Sequence, residues 1–353
     1  RPIAGNGAAF EEARGGEKMR ENSLKNCYAH SEDGKPVEHW QLLGEHLQAV
    51  AVKSSAFARD FQSEDWAWNA GCLHDFGKAD SAFQGYLRRQ NGLDDSEYDV
   101  GKVNHSSAGA ALAEEKLGPC AGRILAYLTA GHHAGLPDWY SSESANAALS
   151  VRLQEGRDNL TRIRSSVDDL LSMMRSTPRP PTFVKQADFH LWIRMLYSCL
   201  VDADFLDTES FMRPDQVGVR TGFASLEELK EKFDRFMVEK TKRSEKSPVN
   251  TLRSEILAAC RFAANQPRGL YSLSVPTGGG KTLSGMAFAL EHAMKHRMAR
   301  IIYVIPYTSI IEQTASVFTS VFGVENVVEH HSNLDPDRET QRSRQDCCDV
   351  QRH

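Results

Sequence analysis

From about residue 38 to residue 210 the apolar positions recur with the 3.6-residue period of a helix. Leu43, His46, Leu47 and Val50 fall at i, i+3, i+4 and i+7, so one stripe of that segment faces a core. Ile124, Leu125, Leu128 and His132 repeat the spacing, and Phe189, Ile193, Leu196, Leu200 and Asp204 extend it. No comparable period-two alternation occurs there, and this half is expected to be all-helical. Past residue 210 the pattern breaks at Pro214, Gly218 and Gly222, followed by a charged helix over Leu226–Lys240 and the polar run Lys242-Arg243-Ser244-Glu245-Lys246-Ser247-Pro248. A helix (Thr251–Asn265), a strand (Gly269–Val275), a glycine loop, a helix (Thr282–Lys295) and a buried strand run (Ile301–Ile305, stopped by Pro306) come next. Strand, loop, helix, strand is how a parallel α/β sheet opens. The expected organisation is a mainly α domain over 19–215, a connector over 216–250 and a partial α/β lobe over 251–353. Residues 1–18, with four glycines and little apolar pattern, read as an added remnant or a disordered lead, with Met19 as a natural start.

Composition changes this picture little. The 353 residues are long enough for two cores, and 41% hydrophobic with 25% charged residues is a soluble globular composition. No apolar run approaches the roughly 20 residues of a membrane span, and the start has no signal-peptide pattern. Seven scattered cysteines without a Cys-x-x-Cys pair exclude a zinc-finger framework and suggest reduced thiols in a cytoplasm. A net charge of −5 gives no global basic footprint for nucleic acid, although local patches can still serve. Arg152, Arg157, Arg162 and Arg164, then Arg175, Arg179 and Lys185, form basic groups that read first as solvated helix faces.

The histidines change it more. Leu73-His74-Asp75-Phe76-Gly77-Lys78 places an imidazole beside a carboxylate that can bridge two metals, and His46, His105, His132 and His133 supply further imidazoles. A lone inward histidine is usually a hydrogen-bonded core residue. Here His74-Asp75 ends one helix before Gly77 and His132-His133 ends another before Gly135, so several helix ends can converge on one point. His105 follows Asn104, a good N-cap for the helix from Ser106 to Lys116. A closing carboxylate is expected from Val201-Asp202-Ala203-Asp204. Asp204 shares the buried stripe with Leu196 and Leu200 and is preferred, with Asp202 as the alternative, because a buried carboxylate is costly unless paired or metal-bound. Such N/O donors suit Mn, Fe, Co, Ni or Zn alike. Lys78 can neutralise a phosphate or simply complement a helix C-terminus. His30, in a loop, is a candidate for the groove wall; His39 and His190 are expected to be structural or surface residues.

A second chemistry follows about two hundred residues later. In Pro276-Thr277-Gly278-Gly279-Gly280-Lys281-Thr282 glycines between a strand and a helix let backbone N–H groups wrap phosphates, Lys281 reaches terminal phosphates and Thr282 can hold Mg²⁺. Val275 stands where the strict Walker spacing wants its first glycine, and the segment resembles motif I of superfamily-2 helicases instead. Pro306-Tyr307-Thr308-Ser309-Ile310-Ile311-Glu312-Gln313 resembles their motif Ia. No Asp-Glu-x-His motif II follows, so the helicase lobe is expected to be incomplete and ATP-driven unwinding lost.

Taken together, Tyr28-Ala29-His30-Ser31, His74-Asp75-Phe76-Gly77-Lys78-Ala79, Asn104-His105-Ser106, Gly131-His132-His133-Ala134-Gly135 and Leu200-Val201-Asp202-Ala203-Asp204-Phe205 resemble the CRISPR-associated HD nuclease–helicases of type I interference systems, with spacing closest to the type I-C branch. The resemblance covers roughly residues 25–335. It implies a helical HD metal-dependent phosphohydrolase fold followed by a RecA-like lobe, and a two-metal endonuclease for single-stranded DNA opened by an RNA-guided surveillance complex. It also implies one metal held by His46, His74, Asp75 and Asp204 and a second by Asp75, His105, His132 and His133, with Mg-ATP at Gly278, Gly279, Gly280, Lys281 and Thr282. Asp75 and Lys78 are then the catalytic candidates, phage inhibitor proteins are candidate partners, and a membrane is not. Two other readings are an HD phosphohydrolase of nucleotides, which has no need of a helicase motif, and a non-catalytic ATP- or partner-binding fragment, against which the full ligand set speaks.

Overall fold

The computed structural model describes residues 24–32, 34–93, 104–141, 148–176, 178–214 and 223–329. The expected lead at 1–18 and the polar tail with Cys347 and Cys348 lie outside the described residues. Described residues up to 214 form one compact unit and those from 223 onward a second.

The first unit is helical, as its periodicity requires. Helix α1 (Leu43–Phe57) buries Leu43, His46, Leu47 and Val50, the stripe that its sequence spacing defines. α2 (Glu64–Leu73) opens on Glu64 and Asp65, which suit a helix N-terminus, and is buried at every position from Asn69 to Leu73. α3 (Ser81–Gln90) starts at Asp80, whose side chain accepts from the Ala82 N–H. α4 (Ser106–Leu117) is small-sided, with Ser106 to Ala113 all buried, and is sandwiched by α5 (Arg123–Gly131) and α6 (Leu149–Arg162). After α7 (Val167–Met173), the 24-residue α8 (Phe189–Met212) lies along α1 and α2. Trp66 of α2 meets Trp192 of α8 edge to face at 5.1 Å, a geometry worth about 0.5–1.5 kcal/mol beyond burial. A two-stranded antiparallel ladder, β1 (Tyr28–His30) with β2 (Gln41–Leu42), sits at the entry to α1.

Two glycines let the motif segments touch. A Cβ on Gly109 of α4 would stand 1.8 Å from the Leu73 carbonyl oxygen, and one on Gly77 would stand 2.2 Å from that of His105. Gly77 N–H instead donates to the His105 carbonyl at 3.1 Å. The turn after α2 and the start of α4 are thereby in backbone contact. The arginines of α6 and the turn after it fasten the same region: Arg162 pairs with Asp80 at 2.7 Å, Arg157 with Glu114 at 3.0 Å and Arg164 with Glu115 at 2.9 Å. Arg152 donates to the Ala130 carbonyl. These cations are therefore engaged within the fold rather than forming a free basic face, although such half-exposed pairs contribute only about 0–1 kcal/mol each.

The second unit contains α9 (Leu226–Arg243), α10 (Pro248–Ala263), α11 (Lys281–Lys295) and α12 (Thr308–Phe322). Its core joins Phe233 to Met286, Leu290, Phe318 and Phe322. This corrects the connector expected over 216–250. Its charged helix is α9, opened by a full capping box between Ser225 and Glu228, and it carries the core residue Phe233. The expected strands at Gly269–Val275 and Ile301–Ile305 form no ladder. Among the described residues nothing pairs with either segment, and a parallel strand is stabilised only by the neighbours that satisfy its N–H and C=O groups. Leu270, Ile302 and Val304 are accordingly exposed. No helix among the described residues is long and apolar enough to cross a membrane, and the described cysteines carry no disulfide.

Adding one methyl at Gly109 forces α4 away from the end of α2. Gly109→Ala is expected to lose about 3 kcal/mol of unfolding free energy in a denaturant titration, at the upper end of ordinary overpacking because the obstacle is backbone.

Candidate metal centre

The backbone ends α2 at Leu73 and turns through His74 and Asp75 into a short helical turn at Phe76–Ala79, so consecutive side chains point into the unit rather than round a helix. His74 is fully buried and Asp75 is 1% exposed. His46, one turn into α1, places Nε2 3.2 Å from His74 Nε2. Asp75 Oδ2 lies 3.5 Å from His46 Nε2 and 3.6 Å from His74 Nε2, and Asp204 Oδ1 of α8 lies 3.4 and 3.5 Å from the same two nitrogens. Asp202 is exposed and outside this group. Of the two aspartates, Asp204 is the one that lies with these side chains.

On the other side of Asp75, Oδ1 is 3.1 Å from His132 Nε2 and 3.6 Å from His105 Nε2. His105 and His133 bring their Nε2 atoms within 2.8 Å of each other. His105 is placed by α4, where the Asn104 side chain accepts from the Ser106 N–H. His132 and His133 leave the end of α5 in a turn closed by the Gly135 N–H to the Gly131 carbonyl, at 2.8 Å. Tyr197 Oη and Arg152 hold the carbonyls of Gly131 and Ala130. The ligand atoms thus fall into two groups, His46/His74/Asp75/Asp204 and Asp75/His105/His132/His133, with Asp75 in both. The first is buried apart from partial exposure at Asp204, while the second opens to solvent at His105 and His133.

The donor set fits a cation because of where its protons are. His74 Nδ1 lies 2.7 Å from the Gly71 carbonyl and His132 Nδ1 lies 2.6 Å from the Thr129 carbonyl. A carbonyl only accepts, so each Nδ1 carries a hydrogen and each ring turns Nε2 inward. His46 Nδ1 likewise donates to Asp207 Oδ2 at 2.9 Å. Two imidazole Nε2 atoms and two carboxylate oxygens then face one another inside the protein, an arrangement that favours a positive charge between them. Without a metal a proton takes that place: burial opposes it, but Asp204, Asp207 and Asp75 raise the His46 imidazole to about 10. Burial would also raise the Asp75 carboxyl, but Lys78, His74 and His105 hold it well below the usual carboxylate range.

Lys78 is buried, with Nζ 2.6 Å from Asp75 Oδ2 and 5.6 Å above the Phe83 ring. His30 of β1 approaches it at 3.5 Å through Nε2, which also lies 3.3 Å from Thr208 Oγ1. Burial, then the neighbouring Lys78, lowers His30 to about 3, and His133, although one edge reaches solvent, is lowered to about 3 by loss of hydration around its ring and then by His132. Both are neutral rings at neutral pH. His39 and His190 are exposed and take no part.

Sequence reasoning missed Asp207 and its partners Gln41 and Lys53, which bond it at 2.8 and 2.6 Å. The available signal was spacing, since Asp207 stands three residues after Asp204 and so shares its helix face.

In the second unit the glycine loop leads into α11. Gly278 and Gly280 have φ of 82° and 86°, and Gly280 is the N-cap that sets Lys281 and Thr282 on the first turn. Arg253 of α10 donates through Nε and Nη2 to the Gly278 carbonyl, at 2.9 and 2.7 Å. A cleft of about 720 Å³ is lined by Thr277, Gly278, Gly280, Lys281 and Thr282 together with side chains of α9, α10 and α12. Gly279 packs behind it against Val275.

Residues 15–198 match the family described as the Cas3 HD domain, and residues 225–350 match that of the type III restriction enzyme, res subunit. The CRISPR-associated nuclease/helicase Cas3 of Haloferax volcanii is 24% identical over 307 residues, covering 70% of this chain. The chain spans 32% of that relative's length.

If the first group holds a cation, Mn²⁺ or Ni²⁺ raises the thermal midpoint of the first unit and EDTA reverses the shift. Saturation at about 100-fold over Kd corresponds to about 2.7 kcal/mol for one site. Scanning calorimetry should find this shift reduced in Asp204→Asn and unchanged in Asp202→Asn.

Proposed function

The chain belongs to the Cas3 HD-domain family, and we propose that its first unit is a two-metal endonuclease for single-stranded DNA. The observation that carries this reading is the division of Asp75, one carboxylate oxygen toward each of two four-ligand groups. His46, His74, Asp75 and Asp204 would hold one cation, and Asp75, His105, His132 and His133 the other. Imidazole with carboxylate suits Mn, Fe, Co or Ni. When bound, such a pair supplies Lewis-acid polarisation of a phosphoryl oxygen and lowers the pKa of water.

The protein's own residues divide the remaining work. Asp75 is held anionic, and the His74 and His132 rings are fixed in the tautomer that points Nε2 inward. Lys78 keeps an ammonium beside the shared carboxylate, where it can pair with a phosphate oxygen once a cation has taken over the charge of Asp75. Substrate approaches from the side of His105 and His133, the open flank of the pair. A single strand as substrate is supported by the helicase-like match in the second unit and by the nuclease/helicase name of the Haloferax relative. Its CRISPR-associated name also supports delivery of target DNA by an RNA-guided surveillance complex, where phage inhibitors could also act. In the second unit, Gly278, Gly279, Gly280, Lys281 and Thr282 offer a helix N-terminus, a cation and a hydroxyl, which suits Mg-ATP.

Two outcomes are expected. Purified protein with Mn²⁺, Ni²⁺ or Co²⁺ and no ATP should open circular single-stranded DNA, and Asp75→Ala should reduce cutting to background on a gel. Failure of the metal-loaded, folded protein to cut, with release of phosphate from nucleotides instead, would move the assignment to a nucleotide phosphohydrolase. For the second unit, Lys281→Ala should weaken binding of a fluorescent ATP analogue about tenfold or more, the equivalent of a charged hydrogen bond of about 1.5–3 kcal/mol.

A further inference from the structure

The imidazoles of the centre are not held alike. His74 and His132 each hand their Nδ1 hydrogen to a neutral backbone carbonyl three residues earlier, Gly71 and Thr129. His46 hands its hydrogen to a carboxylate, Asp207 Oδ2, at 2.9 Å. Asp207 is 5% exposed and fully engaged: Gln41 Nε2 donates to the same oxygen at 2.8 Å and Lys53 Nζ to the other at 2.6 Å. The three partners come from β2 (Gln41) and α1 (His46 and Lys53), while Asp207 itself stands on α8, so the carboxylate is tied to two other elements. None of these three partners belongs to the second ligand group.

We propose that Asp207 is a positioning residue that strengthens one metal site selectively, the one formed by His46, His74, Asp75 and Asp204. The inference rests on the two-metal reading above and deepens it. A carboxylate accepting from Nδ1 fixes the tautomer and ring plane and makes Nε2 a more basic donor than a carbonyl partner does. Lys53 and Gln41 keep that carboxylate from turning inward to become a ligand itself. His46 belongs to the first group alone, so the effect stays on that side of Asp75.

The test is Mn²⁺ binding to the whole chain, followed by calorimetric titration and by the electron paramagnetic resonance of the bound ions. The wild type is expected to take two equivalents with the spectrum of a coupled pair. Asp207→Ala is expected to weaken one equivalent about 10–100-fold, the usual effect of losing such a partner, and to leave the other within about twofold. At a metal concentration between the two affinities the coupled spectrum then gives way to that of an isolated ion. Asp207→Asn keeps an acceptor for His46 Nδ1 without the charge, and should recover part of the lost affinity. It also carries the test if the alanine variant fails to fold. Unchanged binding of both equivalents in Asp207→Asn and in a folded Asp207→Ala would overturn the proposal, as would equal weakening of both. A wild type that binds no Mn²⁺ would overturn the two-metal reading itself.

Discussion

Acceptors that face one another in a protein interior are tolerated only around positive charge, and the first unit is organised about that constraint. His46, His74, Asp75 and Asp204 turn lone pairs toward a common point because their other atoms are already committed, two of them to main-chain carbonyls or a second carboxylate. The close packing of α1, α2 and α8 has its sense here. Each helix contributes one edge of a cage that repels itself when empty of charge, and the buried tryptophans and leucines supply the free energy that keeps it assembled. Lys78 answers part of the repulsion from within the chain, which explains why an ammonium is buried at all.

The second unit shows a different balance. Its helices share a compact apolar core and the glycine loop is shaped by backbone conformation and by the Arg253 fork. The extended segments that should carry the loop from below are unpaired among the described residues. The loop's form is thus set by local geometry and by neighbouring helices, not by a sheet.

Much of the candidate centre could be read from the chain because its signals are local. His74-Asp75 before a glycine, His132-His133 before a glycine, and Asp204 on the stripe of Leu196 and Leu200 all state their placement within a few residues. The helical periodicity of the first unit was legible for the same reason. What escaped depends on distance in sequence. Asp207 looks like any polar residue of an amphipathic helix until α1 brings His46 and Lys53 beside it, and His30 reaches Lys78 only through a three-residue strand. The charged α9 read as a connector since one buried phenylalanine, Phe233, among many charges carries little periodic signal. The two apolar runs read as strands because composition reports a preference, whereas a ladder needs a partner.

The ligands are also dispersed along the chain: His46 lies near the start of the helical unit and Asp204 near its end. During synthesis from the N-terminus, the imidazoles of His46 and His74 are made well before the carboxylate that closes their group. Loop closure over such a separation is entropically costly and slow. Until α8 is made, the group of His46, His74 and Asp75 lacks the carboxylate of Asp204. The enclosed group is therefore complete only once the last helix of the unit has been made, so its geometry depends on the whole domain.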